Sequence, residues 1–264
     1  MKGKKAKSDP NPFHKKHQTI EPEQIFVFPM RLNKYIAKCG VCSRRKAVDL
    51  VAAGKISVNG EVQKIPYTLI EETDEVIYQG KQIKPEENLI YLLLNKPKDI
   101  ISTSSDEHNR KTVLDHIAWP GPERLFSVGR LDRQTTGLLL ITNDGDLTKR
   151  LSHPSHEVKK KYEVTLDQGL SDLDFHRITN GHELDDGLVP VLDIRYPNEP
   201  SREEVEITIS VGRNRIVRRL FESLGYEVLR LDRTYLGGLT KKNLPRGKFR
   251  LLTPREIVML KHFS

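Results

Sequence analysis

The chain is poor in cysteine and has no long apolar run. Its two cysteines, Cys39 and Cys42, stand in Cys-x-x-Cys spacing, a pattern that raises zinc and redox readings. A structural zinc site needs four ligands, and the sequence has no second cysteine pair. A thioredoxin-like centre needs a strand leading into the motif, whereas Leu32, Tyr35 and Ile36 before it have helical spacing. Both thiols therefore read as small semi-apolar residues at a corner between two helices. No apolar stretch approaches the roughly 18 to 20 residues that span a bilayer. The Lys-rich start has no apolar centre, so neither a membrane segment nor a secretory leader is expected, and the localisation expected is cytoplasmic. The chain has no internal repeat and no motif for a metal or a nucleotide cofactor. His153 and His156 flank Pro154-Ser155, but with only Glu157 nearby they read as loop residues.

Positive charge is what the chain has in excess. A net charge of +8, from 44 Lys+Arg against 36 Asp+Glu, makes polyanions the natural partners, nucleic acid before membrane. The 264 residues have room for one medium domain and one small one. Residues 1–28 hold Lys2, Lys4, Lys5, Lys7, Lys15 and Lys16 with three prolines and read as a disordered basic tail.

Residues 29–88 read as a small helix-helix-hairpin unit. Arg31 to Lys38 predicts a helix ended by Gly40, and Ser43 caps a second helix that runs to Gly54. Asn59-Gly60 then turns a hairpin between Lys55–Val58 and Glu61–Ile65. Arg31, Lys34 and Lys38 share one helix face, while Arg44, Arg45 and Lys46 crowd the start of the second helix. Cations at a helix N-terminus oppose the macrodipole at a cost of roughly a few tenths of a kcal/mol each, so the cluster points to an anionic partner.

Residues 89–264 read as an α+β domain with a mixed, largely antiparallel sheet. Strands are expected at Leu89–Leu94, Leu138–Ile141, Lys159–Leu166, near Val189–Arg195, at Glu203–Val211 and at Tyr226–Tyr235. Helices are expected at Asp172–Thr179, along the stripe Val217, Leu220, Phe221 and Leu224, and after the capping box that opens at Thr253-Pro254. The run from Val128 to Gly145 is the most informative. Leu138–Ile141, closed by the turn Asn143-Asp144-Gly145, predicts a strand covered on both faces. The polar residues before it then form a loop at the strand's entrance. That loop sets Asp132 between Arg130 and Arg133, and flanking arginines would keep the carboxylate ionised, as a nucleophile requires. On charge alone, an Arg-Asp pair that merely closes a loop remains an equal alternative.

Gly129-Arg-Leu-Asp132, Thr136-Gly-Leu-Leu-Leu140 and Thr142-Asn-Asp-Gly145 resemble the active-site motif of RsuA-type ribosomal RNA pseudouridine synthases. The likeness runs from about Pro29 to about Pro254. It implies that Asp132 is catalytic and that Arg130 helps displace the target nucleotide. It implies further that Tyr162, in Lys161-Tyr162, stacks on the flipped base and that Arg218, ending the motif opened by Gly212-Arg213, pairs with Asp132. Arg213 and Arg215 would face phosphates, and Lys149 and Arg150 would contact RNA. Two positions depart from the pattern: Asp99 stands where glycine is common, and Ile216 where glutamine is usual. Leu32 to Ala37, Gly40 to Ala47 and Gly54 to Gly60 resemble the S-four-type RNA-binding domain, which implies RNA contacts for Arg31, Lys34, Arg44, Arg45 and Lys46.

Isomerising uridine to pseudouridine moves the base from a carbon-nitrogen to a carbon-carbon bond without redox change, so the reaction needs neither metal nor cofactor, and one carboxylate suffices as nucleophile or base. The implied partner is ribosomal RNA, or a pre-ribosomal particle, met by a monomer. His153-Pro-Ser-x-Glu-Val and Leu244-Pro-Arg-Gly247 look like large-subunit, RluB-like members. Small-subunit members share the architecture, and a non-catalytic assembly factor is the alternative of a different class.

Overall fold

The computed structural model describes residues 26–262 apart from 104, 105, 107 and 199. The basic tail expected over residues 1–28 thus falls, save for Phe26 to Phe28, outside the described residues.

The N-terminal unit runs β1 (Met30–Arg31), α1 (Leu32–Lys38), α2 (Arg44–Ala52), β2 (Ile56–Val58), β3 (Glu61–Gln63), β4 (Leu69–Ile70), β5 (Val76–Tyr78) and β6 (Lys81–Gln82). Leu32, Tyr35 and Ile36 of α1 and Ala47 and Val51 of α2 are buried in one core with Ile56, Ile70 and Val76. The Ser43 hydroxyl accepts the Lys46 amide at 3.2 Å, the expected cap. Asn59 and Gly60 both take positive φ (51° and 85°), the conformation a two-residue hairpin turn requires. Four strands form the sheet β3-β2-β5-β6, and β1 pairs with β4. Cys39 ends α1, and Cys42 is buried between the helices. Burial pushes the Cys39 thiol up to about 12, a protonated and unreactive form.

The larger unit continues with β7 (Tyr91–Lys96), α3 (Val113–Ile117), β8 (Phe126–Val128), β9 (Thr136–Thr142), α4 (Gly145–Ser152), β10 (Lys160–Leu166), α5 (Asp172–Thr179), β11 (His182–Leu184), β12 (Gly187–Val189) and β13 (Val191–Arg195). Then follow β14 (Glu204–Ile209), α6 (Ile216–Glu222), β15 (Val228–Leu236), β16 (Leu239–Thr240), β17 (Phe249–Leu251) and α7 (Pro254–Lys261). The main sheet has the order β13-β14-β10-β15-β9-β7-β17, with β16 added to β15 and β8 to β9. Its pairings are antiparallel except that of β9 with β15, which is parallel. Every residue of β7 and β9 is buried, because the sheet is covered on both sides. Leu92, Leu94, Leu139 and Ile141 pack towards α3, α5 and α6. Tyr91, Leu93, Leu138 and Leu140 pack towards α4 and α7. Each fully buried leucine contributes roughly 1.5–3 kcal/mol, so this strand pair is the rigid floor under the loops at its ends.

Two differences from the sequence reading have physical causes. Strand β7 extends to Lys96, past the apolar run, because that lysine finds buried acceptors. Asn143-Asp144-Gly145 is more than a turn, since Asp144 caps α4 by accepting the Asp146 and Leu147 amides at 3.1 and 2.9 Å. Leu147 and Leu151, four residues apart, bury the inner face of that helix. At the C-terminus the Thr253–Glu256 capping box is formed in both directions.

Candidate active site

Gly129 to Thr135 link β8 to β9 as the loop expected at the strand's entrance. Gly129 starts it at φ 68°, in the region glycine enters without steric cost. Ser102 pins the next turn: its hydroxyl donates to the Leu131 carbonyl at 2.9 Å and accepts the Leu131 amide at 3.2 Å. The main anchor is Lys96, which has no solvent exposure at all. Its Nζ donates to the carbonyls of Thr135 (2.8 Å), Pro97 (3.1 Å), Asp132 (3.1 Å) and Arg133 (3.3 Å). Burial pushes this ammonium down to about 8, against the Asp132 and Asp99 carboxylates, which favour the charged form. From sequence, Lys96 is read only as part of the segment Asn95-Lys96-Pro97 and is given no role, although a charge two residues past six apolar residues is a signal of a buried acceptor cluster.

Asp99 takes the left-handed conformation (φ 66°) that glycine would adopt freely, at a cost of roughly 1 kcal/mol. Its side chain offers a return, because Oδ1 accepts Arg133 Nε at 3.1 Å and Gln134 Nε2 at 3.2 Å. Arg133, expected beside the Asp132 carboxylate, is therefore turned to Asp99 instead. At the start of β9, Asp232 accepts Thr136 Oγ1 at 2.9 Å, Lys241 Nζ at 2.6 Å and both Arg246 Nη atoms at 2.8 Å. Burial alone would raise this carboxyl, but hydrogen bonds from Arg246 and Lys241 outweigh it and leave it at about 2.

Asp132 is half-buried and opens on a cleft of about 470 Å³ shared with Ser102, Arg110, Arg130 and Asn214. Arg218 was expected to pair with it directly. The structure places the Arg218 guanidinium in the core, 8% exposed, with Nη1 donating to the Val228 carbonyl at 2.7 Å. Burial and neighbouring Arg215 lower its pKa while Asp132 raises it, so the two charges sense each other without an ion pair among the described residues. The cause is the position of Arg218 on the buried face of α6, where the carbonyl at the start of β15 accepts its guanidinium. Tyr162 is 7% exposed on β10, in the same core cluster as Leu131 and Ile216. Ile216 is itself buried and adds apolar contact where glutamine would have added a polar group. Residues 90–223 match the RNA pseudouridylate synthase family, and residues 30–76 match the S4 domain.

The chain belongs to the RNA pseudouridylate synthase family. It is 37% identical over 235 residues to ribosomal large subunit pseudouridine synthase B of Bacillus subtilis, covering 88% of this chain and 95% of that protein. It is 38% identical over 237 residues to the protein of the same name from Vibrio vulnificus, covering 88% and 74%. A crystal structure of a pseudouridylate synthase superposes with a TM-score of 0.64 at 30% identity, over 88% of this chain and 99% of that one.

The basic residues of this synthase fall into two groups. Arg44, Arg45 and Lys46 are exposed at the start of α2, Arg31 is exposed and lies 5.5 Å from the Tyr67 ring centroid, and Arg130 is exposed at the mouth of the cleft. Others are already engaged within the protein. Lys34 and Lys38 pair with Asp146 at 3.2 and 2.9 Å. Arg213 donates to Asp186 and to the carbonyls of Gly187 and Leu188. Arg215 pairs with Glu222 at 3.0 Å, and Arg150 donates to the Lys261 carbonyl. Periodicity shows which face a cation occupies but not which acidic residue the fold brings to it.

Proposed function

We propose that this pseudouridine synthase modifies a uridine of ribosomal RNA, in the large subunit, with Asp132 as nucleophile or base. The observation that carries the reading is the support of Asp132: a carboxylate facing an open cleft with Arg130 at its mouth, on a loop whose carbonyls converge on one buried ammonium. In the reaction the bond from C1′ of the ribose to N1 breaks, a bond from C1′ to C5 forms, and the proton on C5 is exchanged for one on N1. A single fixed carboxylate can attack and later accept that proton. Arg130 at the cleft mouth would displace the target nucleotide, Tyr162 would stack beneath the base, and Arg218 would balance the Asp132 charge. Arg31, Arg44, Arg45 and Lys46 would hold phosphates of the surrounding RNA. Lys34, Arg213 and Arg215 would join them only by exchanging carboxylates for phosphates.

The large-subunit assignment is supported by the names of the relatives in Bacillus subtilis and Vibrio vulnificus. No helix among the described residues is long and apolar enough to cross a membrane, and a cytoplasmic monomer acting on ribosomal RNA or a pre-ribosomal particle fits the net charge of +8. Pseudouridines are mapped in both ribosomal RNAs from cells carrying the native chain, no chain, or Asp132→Asn. One large-subunit position is expected to vanish in the last two, while the purified variant still binds the RNA. Loss of a small-subunit position would move the substrate, and modification retained by Asp132→Asn would end the role given to the aspartate.

A further inference from the structure

Beside the start of the Asp132 loop lies a second cavity of about 120 Å³, more enclosed than the cleft and touched by Gly129, Arg130, Lys160, Gly212 and Arg233. Its volume is several times the roughly 30 Å³ of one water in the liquid. The remaining wall is apolar on the side of α4 and α7 and also carries Ser152, His153, Ser210 and Arg213. Two of the four Lys and Arg side chains that line it, Lys160 and Arg233, meet here without a counter-charge. Arg233 is only 4% exposed. Its Nε donates to the Leu138 carbonyl at 2.7 Å, but its Nη2 is buried and has no hydrogen-bond partner among the described residues. Lys160 Nζ donates to the carbonyls of Val158 (2.7 Å) and Ser210 (2.8 Å), which uses two of its three N–H groups.

No carboxylate among the described residues forms an ion pair with either side chain. Burial, and then the charge of Arg233, push Lys160 down to about 8. Buried charges are ordinarily paired, and a buried donor left unsatisfied costs roughly 1–3 kcal/mol. Like charges held together in a medium of low polarity add to that cost. One anion bound between them would accept the third N–H of Lys160 and remove the repulsion, and it would reach Arg233 Nη2, which has no surface open to the cavity, by a turn of the guanidinium. Arg233 on β15 and Lys160 on β10 approach from different strands, which suits a tetrahedral group with several acceptor oxygens better than a single-centred ion. Gly129 and Gly212 are exposed, and an added Cβ at either would meet nothing within 4 Å, so the backbone does not block entry from that side. Arg213 adds no charge, because its guanidinium is held by Asp186 and two carbonyls.

We propose that this cavity binds one phosphate-class oxyanion between Lys160 and Arg233. The oxyanion is either a phosphodiester of the bound RNA or free phosphate, and the first source rests on the function proposed above. Full-length protein without RNA is titrated with inorganic phosphate, and with chloride at matched ionic strength, following the melting temperature and the phosphorus NMR linewidth. Phosphate is expected to stabilise and broaden where chloride does not, with an affinity about tenfold or more weaker in Arg233→Met. Where the methionine variant does not fold, Arg233→Lys keeps the charge and is expected to weaken the phosphate effect. Equal responses to phosphate and chloride in the native protein, or a phosphate effect unchanged in the variants, overturns the site. Ribosomal RNA is then added: sharpening of the phosphate line shows that a phosphodiester takes the place of the ion, and a line that stays broad assigns the site to free phosphate. Failure of the RNA to bind would count against the proposed function and leave the anion site standing, because the first arm contains no RNA.

Discussion

Replacing Lys96 by methionine should damage catalysis far more than folding. The side chain has no solvent exposure, and methionine fills similar volume without charge. Four carbonyls lose a donor, but two of them keep another: the Asp132 carbonyl still accepts the Thr135 amide at 3.1 Å, and the Arg133 carbonyl the Asp99 amide at 3.0 Å. The Pro97 and Thr135 carbonyls lose the partner that Lys96 supplied, at roughly 1–3 kcal/mol each. Against this, the ammonium is held at about 8 by burial, so its removal returns about 3 kcal/mol of desolvation. The net loss is then about −1 to 3 kcal/mol, between a rise of a few degrees and a fall of roughly 12 °C in Tm. The Asp132 loop, released from its anchor, should lose about a hundredfold in kcat, the effect of a displacement near 1 Å. Because folding lowers the lysine pKa, the unfolded chain binds more protons between about 8 and about 10.4, and stability of the native protein relative to the variant rises across that range. Single-turnover pseudouridine formation and urea unfolding from pH 7 to 10.5 measure both. A kcat within about threefold of native would refute the anchoring role, and a stability gap flat above pH 8 would refute the buried charge.

Asp232→Asn should cost about 2 kcal/mol at neutral pH, because the carboxyl is held at about 2 in the folded protein against an ordinary value of about 3.9. That contribution is present above about pH 4 and lost as pH falls towards 2, so the gap in unfolding free energy between native and variant should close over the same interval. Gly137→Ala should prevent folding or cost several kcal/mol in denaturant titration, since φ is 106° and the new Cβ would collide with the Arg233 backbone across the parallel strand pair. Asp99→Gly should leave stability within about 1 kcal/mol, relieved backbone strain offsetting the lost Arg133 and Gln134 bonds. Turnover should fall severalfold in the same variant, read by the pseudouridine assay, as the loop gains freedom. Thr253→Ala should cost about 1 kcal/mol in thermal unfolding through loss of the α7 cap.

What could be read in advance was what depends on local periodicity. The α5 boundaries, the Asn59-Gly60 hairpin, the α7 capping box and the buried β9 strand all follow from neighbours in the chain. The Asp132 loop could be placed because an apolar strand fixes where polar residues must emerge. Pairings between distant residues were not legible. Arg133 lies in the chain beside Asp132 but meets Asp99, and Arg218 meets the Val228 carbonyl. Lys34 carries the spacing of an RNA-facing residue and binds Asp146. Helix α4 was missed because Asn-Asp-Gly is a strong turn signal, and an N-cap uses the same residues. For these pairings the deciding partner is set by which distant helices, loops and strands the fold brings together, which a single sequence does not state.

The clasp of Lys34 and Lys38 on Asp146 also sets a length. Asp146 stands in the first turn of α4, beyond the far end of β9, whereas Asp132 precedes the near end of that strand. Six residue steps separate Thr136 from Thr142, a rise of about 20 Å. The small N-terminal unit thus meets the larger one a strand's length from Asp132, across a fully buried strand. Under the function proposed above, an RNA held at both places would have to bridge that interval. The seven residues of β9 therefore set the spacing between the Asp146 contact and the Asp132 loop.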